Sequence, residues 1–302
     1  MPPSLSRRNA IVALALAPCA AAPRAAAAAP LKIVASFSII ADLVRQIAGP
    51  RAQVTTLVGP GQDAHAFQPR PSDAQAIAAA DLFVVNGLGF DAWAERLAKA
   101  AGARRPIVVA ATAVRGRRVG PSHAMVDPHA WQDAANAKLY VAAIRDRLAA
   151  ADPDGATQHA AAAAALLTRL DALDADIRTS LQPIPRGERK IVTSHDAFGY
   201  YGAAYGVDFL APLGLAGDAE PSARALAGLI AQIRRERIRA LFLEKIVRSS
   251  LLEQIARETG VRIGGTLYSD ALSPADGPAA TYEAMMRHNT AMIAAALARG
   301  IG

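Results

Sequence analysis

Three histidines and one aspartate, spread over most of the chain, each sit in a short segment suited to holding an ion. They are His65 in Gly61–Phe67 (GQDAHAF), His129 in Asp127–Trp131 (DPHAW), His195 in Thr193–Gly199 (TSHDAFG) and Asp270 in Leu267–Asp270 (LYSD). The chain has six histidines, and half of them fall in these segments. Three imidazole nitrogens and a carboxylate oxygen form a borderline-soft set that suits a divalent transition metal, zinc above all. Singly, each residue has a plainer role. A lone loop histidine is ordinarily a hydrogen-bonded structural residue, Asp270 would cap a turn, and Asp63 and Asp127-Pro128 are turn chemistry. All four together, however, fall in predicted loops that face one cleft.

The elements that would position them form a regular alternation. Leu31–Ser36 reads as a buried strand followed by a helix over Ile39–Ala48. Val54–Val58, Leu82–Val85 and Ile107–Ala110 read as further strands, and Ser72 with Gln75 three residues on has the form of a helix-capping box. Short apolar strands alternating with helices indicate a mainly parallel α/β sheet covered on both faces. The middle of the chain differs. Asn136–Ala151 and Asp154–Leu181 are alanine-rich, and in the second run Leu166, Leu170, Leu173 and Ile177 keep a helical rhythm. Such a helix would be roughly 40 Å long, ending before Pro183 and Pro185, and would bridge two lobes. Beyond it Lys190–Thr193, Ala240–Glu244 and Arg262–Leu267 are strands again, and Ser222 caps a helix over Ala223–Glu236. The expected fold class is therefore α/β, two lobes joined by one long rigid helix. The expected segments are a leader at 1–29, a first lobe at 30–151, a linking helix at 152–185 and a second lobe at 186–302. His65, His195 and Asp270 lie just past predicted strand ends, where open parallel sheets bind ligands. A metal in the interlobe cleft follows.

The first 29 residues read as an export signal, with Arg7 and Arg8 before an apolar run and an alanine-rich cleavage region. Ser6-Arg7-Arg8 hints at twin-arginine export. The lone cysteine, Cys19, lies in this leader. Pro18 directly before it departs from a lipoprotein cleavage box, so no lipid anchor is expected. Removing the leader deletes Arg7, Arg8 and Arg24 and no acid, taking the formal charge from +7 to +4. The charges are interspersed, which disfavours nucleic-acid binding. The mature chain is expected to be periplasmic, monomeric and free of disulfides.

Other conspicuous residues have structural readings. His159 is expected to be solvent-exposed on the long helix, and His288 structural or exposed. His123 is a weaker candidate metal contact in the loop before His129. Trp93 and Trp131 should pack the cleft or core, and Tyr200-Tyr201 a helix start. Arg234, Arg235, Arg237 and Arg239 read as a solvated helix face. Asp196 and Asp133 are expected to orient ligand imidazoles.

With these residues in view, the chain resembles the zinc- and manganese-binding solute-binding proteins of bacterial ABC importers, the helical-backbone metal receptors. The resemblance runs over essentially the whole mature chain. It is carried by Gly61–Asp73, Asp127–Asp133, Thr193–Gly206, Ala219–Ser222 and Gly264–Pro274. It implies one metal buried between two α/β lobes, held by His65, His129, His195 and Asp270. It also implies a membrane permease with a cytoplasmic ATPase as partner, and leaves room for a metallochaperone. Many zinc-selective members carry a long histidine-rich loop before the second ligand, where this chain has only His123. Some also carry a C-terminal disulfide, which a chain with one cysteine lacks.

The nitrogen-rich set and His195, where manganese receptors place an acid, favour Zn2+ as the transported ligand, with Mn2+ as the alternative. A mononuclear zinc hydrolase is a second class. A catalytic zinc keeps one position open for water, whereas here a fourth ligand is supplied and no His-Glu-x-x-His motif is present. A surface adhesin would want a lipid anchor or a partner surface. The expectation is a receptor, not an enzyme.

Overall fold

The computed structural model describes residues 29–103, 107–120, 124–217, 221–247 and 249–298. The leader through residue 28 with Cys19, as well as His123 and Ala219-Glu220, lies outside the described residues.

The first half alternates as expected: β1 (Leu31–Phe37), α1 (Ser38–Ala48), β2 (Ala52–Val58), α2 (Pro71–Ala78), β3 (Leu82–Val85), α3 (Trp93–Ala100) and β4 (Ile107–Val109). Its strands form a wholly parallel sheet in the order β2-β1-β3-β4. Helices cover both faces, so β3 is continuously apolar and β1 is buried on both faces from Ile33 to Phe37. The cap of α2 differs from the expected one. Pro71 takes the first helical position, and the Asp73 carboxylate accepts from the Arg70 N–H at 2.7 Å. Ser72 is therefore inside the helix, because proline's fixed φ suits the first turn. A two-stranded antiparallel ribbon follows, β5 (Arg117–Val119) and β6 (Met125–Asp127). Its three-residue strands are mixed in polarity and too short to show a period.

α4 (Ala134–Ala151) and α5 (Ala156–Leu181) come next. Asp133 caps α4 by accepting from the Ala135 N–H at 2.9 Å. α5 has 26 residues, about 39 Å at 1.5 Å per residue. Its buried stripe is His159, Ala163, Leu166, Leu170, Leu173, Ile177 and Leu181, and it packs on α4, α1 and the last helix. His159 is thus fully buried, contrary to its expected exposure. Its Nε2 lies 3.0 Å from Asp152 Oδ2 and its Nδ1 3.3 Å from the Ile47 carbonyl, while Arg51 pairs with the same carboxylate at 2.5 Å. The leucine rhythm extended backward by four and three residues reaches His159, and Asp152 supplies the polar partner that burial demands.

The second half comprises β7 (Lys190–Val192), α6 (Gly199–Tyr205), β8 (Asp208–Leu210), α7 (Ala223–Glu236), β9 (Ala240–Glu244), α8 (Ser250–Thr259), β10 (Arg262–Leu267) and α9 (Tyr282–Ala298). Its sheet is also parallel, ordered β10-β9-β7-β8. Ser222 caps α7, its hydroxyl accepting from the Ala225 N–H. Two α/β lobes thus flank the long helix. One buried core runs through both lobes by way of α1, α4, α5 and α9. A smaller cluster of Val192, Ile230, Ile233, Ile238, Leu241, Leu252 and Ile255 lies beneath α7 and α8. Among the described residues, no helix is long and apolar enough to cross a membrane.

Candidate metal centre

Each of the four residues is held by its own local device. His65 follows β2 through a turn at Gly59–Gln62. Asp63 Oδ1 accepts from the His65 N–H at 2.8 Å, an Asx turn that fixes the loop. Trp93 Nε1 donates to the Ala64 carbonyl, and the edge of Phe90 meets the His65 ring at 4.6 Å. His129 follows β6. Asp127 Oδ1 accepts its backbone N–H at 3.0 Å and lies 2.8 Å from its Nδ1. The other Asp127 oxygen accepts from Arg117 Nη1 at 3.1 Å. Tyr200 ties this ribbon to α6, accepting from the Arg117 N–H and donating to the Asp127 carbonyl. Gly199 leaves room for this pair, since a Cβ there would crowd the Arg117 guanidinium and lie 2.7 Å from Asp127 Oδ2.

His195 lies just beyond β7. Glu244, the last residue of β9, accepts the His195 N–H at 2.9 Å through Oε1. Its Oε2 sits 2.7 Å from His195 Nδ1, an ion pair that is not aligned as a hydrogen bond. Asp270 lies beyond β10. The carbonyl before it, on Ser269, accepts from both Trp131 Nε1 and Gln132 Nε2.

These devices bring the four side chains to one point. Asp270 Oδ2 lies 3.1 Å from His195 Nε2 and 3.3 Å from His65 Nε2. Asp270 Oδ1 is 3.6 Å from His129 Nε2, and the Nε2 atoms of His65 and His129 are 3.4 Å apart. One ligand atom from each residue falls within 4.8 Å of all the others. Donors bonded to a tetrahedral ion at about 2.0–2.1 Å lie about 3.3 Å from one another, so most of these separations match such a shell. With carboxylates at Nδ1 of His129 and His195, the proton belongs on that nitrogen and Nε2 is left to accept a metal.

The electrostatics fit a cation. Burial opposes charging His195, but Glu244 and Asp270 outweigh it and hold the imidazole well above the usual histidine range. Burial would raise Asp270, yet His129 and His195 outweigh it and hold the carboxyl well below the usual range. Asp270 Oδ1 is buried without a hydrogen-bond partner, a costly state for a carboxylate oxygen.

All four candidate residues thus converge. The carboxylates that orient the imidazoles are Asp127 and Glu244, not Asp133 and Asp196. Asp133 caps α4, and Asp196 faces Asp127 and Arg117 at the rim, where burial raises its carboxyl. In the sequence Glu244 shows only as the acid that ends the apolar strand Ala240–Glu244, which reads as a strand boundary. Trp131 is fully buried, packed on Phe37, Phe90 and His129, and Trp93 is buried as well. His288 is structural, with Nε2 3.1 Å from the Thr266 carbonyl. Of the four arginines, Arg234 and Arg235 are exposed on α7. Arg237 terminates the helix with φ +52°, and Arg239 pairs with Glu188.

Comparison with known proteins gives a consistent result. Residues 33–296 match the family described as ZnuA, zinc-uptake complex component A, periplasmic. The manganese-binding lipoprotein MntA of Halalkalibacterium halodurans is 38% identical over 259 residues, covering 86% of each chain. The iron-binding protein YfeA of Yersinia pestis is 33% identical over 90% of this chain and 86% of its own. The periplasmic zinc-binding protein TroA of Treponema pallidum superposes with a TM-score of 0.84 at 30% identity, covering 89% of this chain and 99% of that one. The chain belongs to this family of metal-binding solute-binding proteins.

Proposed function

We propose that this family member is an extracytoplasmic receptor that captures Zn2+ through His65, His129, His195 and Asp270 and delivers it to an ABC-type importer. Its partners would be a membrane permease and a cytoplasmic ATPase, since relatives include the metal ABC transporter substrate-binding lipoprotein SsaB of Streptococcus sanguinis. The observation that carries this reading is the convergence of three imidazole Nε2 atoms on the Asp270 carboxylate at tetrahedral spacing in a buried cleft. The filled fourth position argues for storage and handover of an ion rather than hydrolysis, which needs a metal-bound water.

Manganese is the second reading. Both Asp270 oxygens face the imidazoles, so the carboxylate can bind through two atoms and add an oxygen, as harder ions prefer. The deciding experiment is a competition titration of metal-stripped protein with Zn2+ and Mn2+ against a chromophoric chelator, repeated on His195→Ala. Tight one-to-one zinc binding that His195→Ala weakens by more than about a hundredfold, beyond the usual effect of groups behind the ligands, supports a zinc receptor. Comparable or tighter manganese binding makes it a manganese receptor. Absence of tight binding to either ion refutes both.

A further inference from the structure

The sequence order assigns His65 and His129 to one lobe and His195 and Asp270 to the other, but the hydrogen bonds divide the site differently. Gln132 is a fully buried amide. Its Nε2 donates to the Ser269 carbonyl at 2.8 Å, across 137 positions of sequence. Trp131 Nε1 donates to the same oxygen at 2.9 Å, and Trp131 is itself held through its carbonyl by the Tyr282 hydroxyl at 2.7 Å. Two residues after Asp270, the Leu272 N–H donates to Ser38 Oγ, and its carbonyl accepts from the Gly61 N–H, both at 2.9 Å. Asp270 is therefore bracketed by bonds to the lobe that carries His65 and His129.

The segment around His195 shows the opposite pattern. The Thr193 N–H donates to the Leu210 carbonyl, the Asp196 N–H to the Leu213 carbonyl and the His195 N–H to Glu244, all within its own lobe. Gln132 also keeps an unsatisfied buried Oε1. Burying such a group without a partner is unfavourable, a cost that a leucine of similar shape would avoid.

Resting on the metal-receptor reading, we propose that Gln132, together with Trp131, is a positioning residue for Asp270. It ties the carboxylate to the lobe of His129, so that three ligands form a preassembled half-site and His195 alone is brought by the other lobe. Orientation of first ligands by the groups behind them ordinarily changes metal affinity by about 10–100-fold. A residue that acts only by bracing the fold would change stability instead.

The test is a double-mutant cycle read by Zn2+ affinity. Gln132→Leu keeps the volume and removes the donor. Gln132→Met is the substitute should the leucine variant fail to fold, and thermal unfolding of each metal-free variant reports on folding. The expected result is zinc binding weakened about tenfold by the Gln132 variant in the unaltered chain, with no further loss in the Asp270→Ala background. That background keeps three imidazoles, enough to hold zinc. The visible spectrum of the Co2+-loaded Gln132 variant should also change, since the carboxylate shifts relative to the imidazoles. Equal loss in both backgrounds, or no loss in either, overturns the proposal. An unaltered chain that binds no zinc refutes the receptor reading itself, and is seen before any variant is compared.

Discussion

His195 is the residue whose charge governs the metal-free site. On the proposed function, a proton must leave before Nε2 can bind metal, because Glu244 and Asp270 hold its imidazolium well above the usual range. Zinc affinity should therefore keep rising above pH 6.5, by up to about tenfold per pH unit, until the raised value is passed. Asp270, held low, stays ionised throughout and adds nothing to that slope. Competition titrations between pH 6 and 9 check this, and a flat profile refutes it. Glu244→Gln should weaken binding about 10–100-fold at pH 8. It should also flatten the slope, since removing that charge lowers the His195 value. Linkage gives a related outcome without metal. A raised histidine contributes stability that is fully present below about pH 6.5 and lost as pH rises through the folded-state value. The Tm gap between zinc-loaded and metal-free protein should accordingly widen with alkalinity. The four candidate ligands were legible because their types recur in predicted loops at strand ends. Asp127 and Glu244 were not, since an acid before proline reads as a turn and an acid at a strand end reads as a boundary. Only the folded chain shows which nitrogen each one faces.

At the scale of elements, α5 was the most legible part of the sequence, because Leu166, Leu170, Leu173, Ile177 and Leu181 recur every three or four residues behind an alanine-rich run. The ribbon β5–β6 and strand β8 were not, although β4 and β7, equally short, were read as strands. The exposure expected of His159 failed for a physical reason: its neighbours are alanines, which do not distinguish a buried face from a wet one. The α5 stripe makes a prediction independent of the metal. Leu170→Ala, at a fully buried position, should cost about 3 kcal/mol in urea unfolding. Zinc affinity of the folded variant should stay within about twofold of the original, since Leu170 makes no part of the ligand shell. A large affinity loss would mean that the helix transmits strain to the site.

Across the whole molecule, the two hydrophobic clusters predict unequal stability. The core that joins the lobes through α5 should unfold as one unit, whereas α7 and α8 cover a smaller separate cluster. Amides of α7 and α8 should exchange with solvent before those of α1, α4 and α5, and hydrogen exchange resolved by peptide checks the order. Simultaneous exchange would refute the separation. The burial of the four ligands has a kinetic consequence as well. His65 keeps 12% side-chain exposure, against 0–1% for His129, His195 and Asp270. On the proposed function, an external chelator or a second ion would therefore have little room to attack a bound ion directly. For an ion held as proposed, replacement is expected to be dissociative, with a rate set by the opening of the cage and independent of how much competitor waits outside.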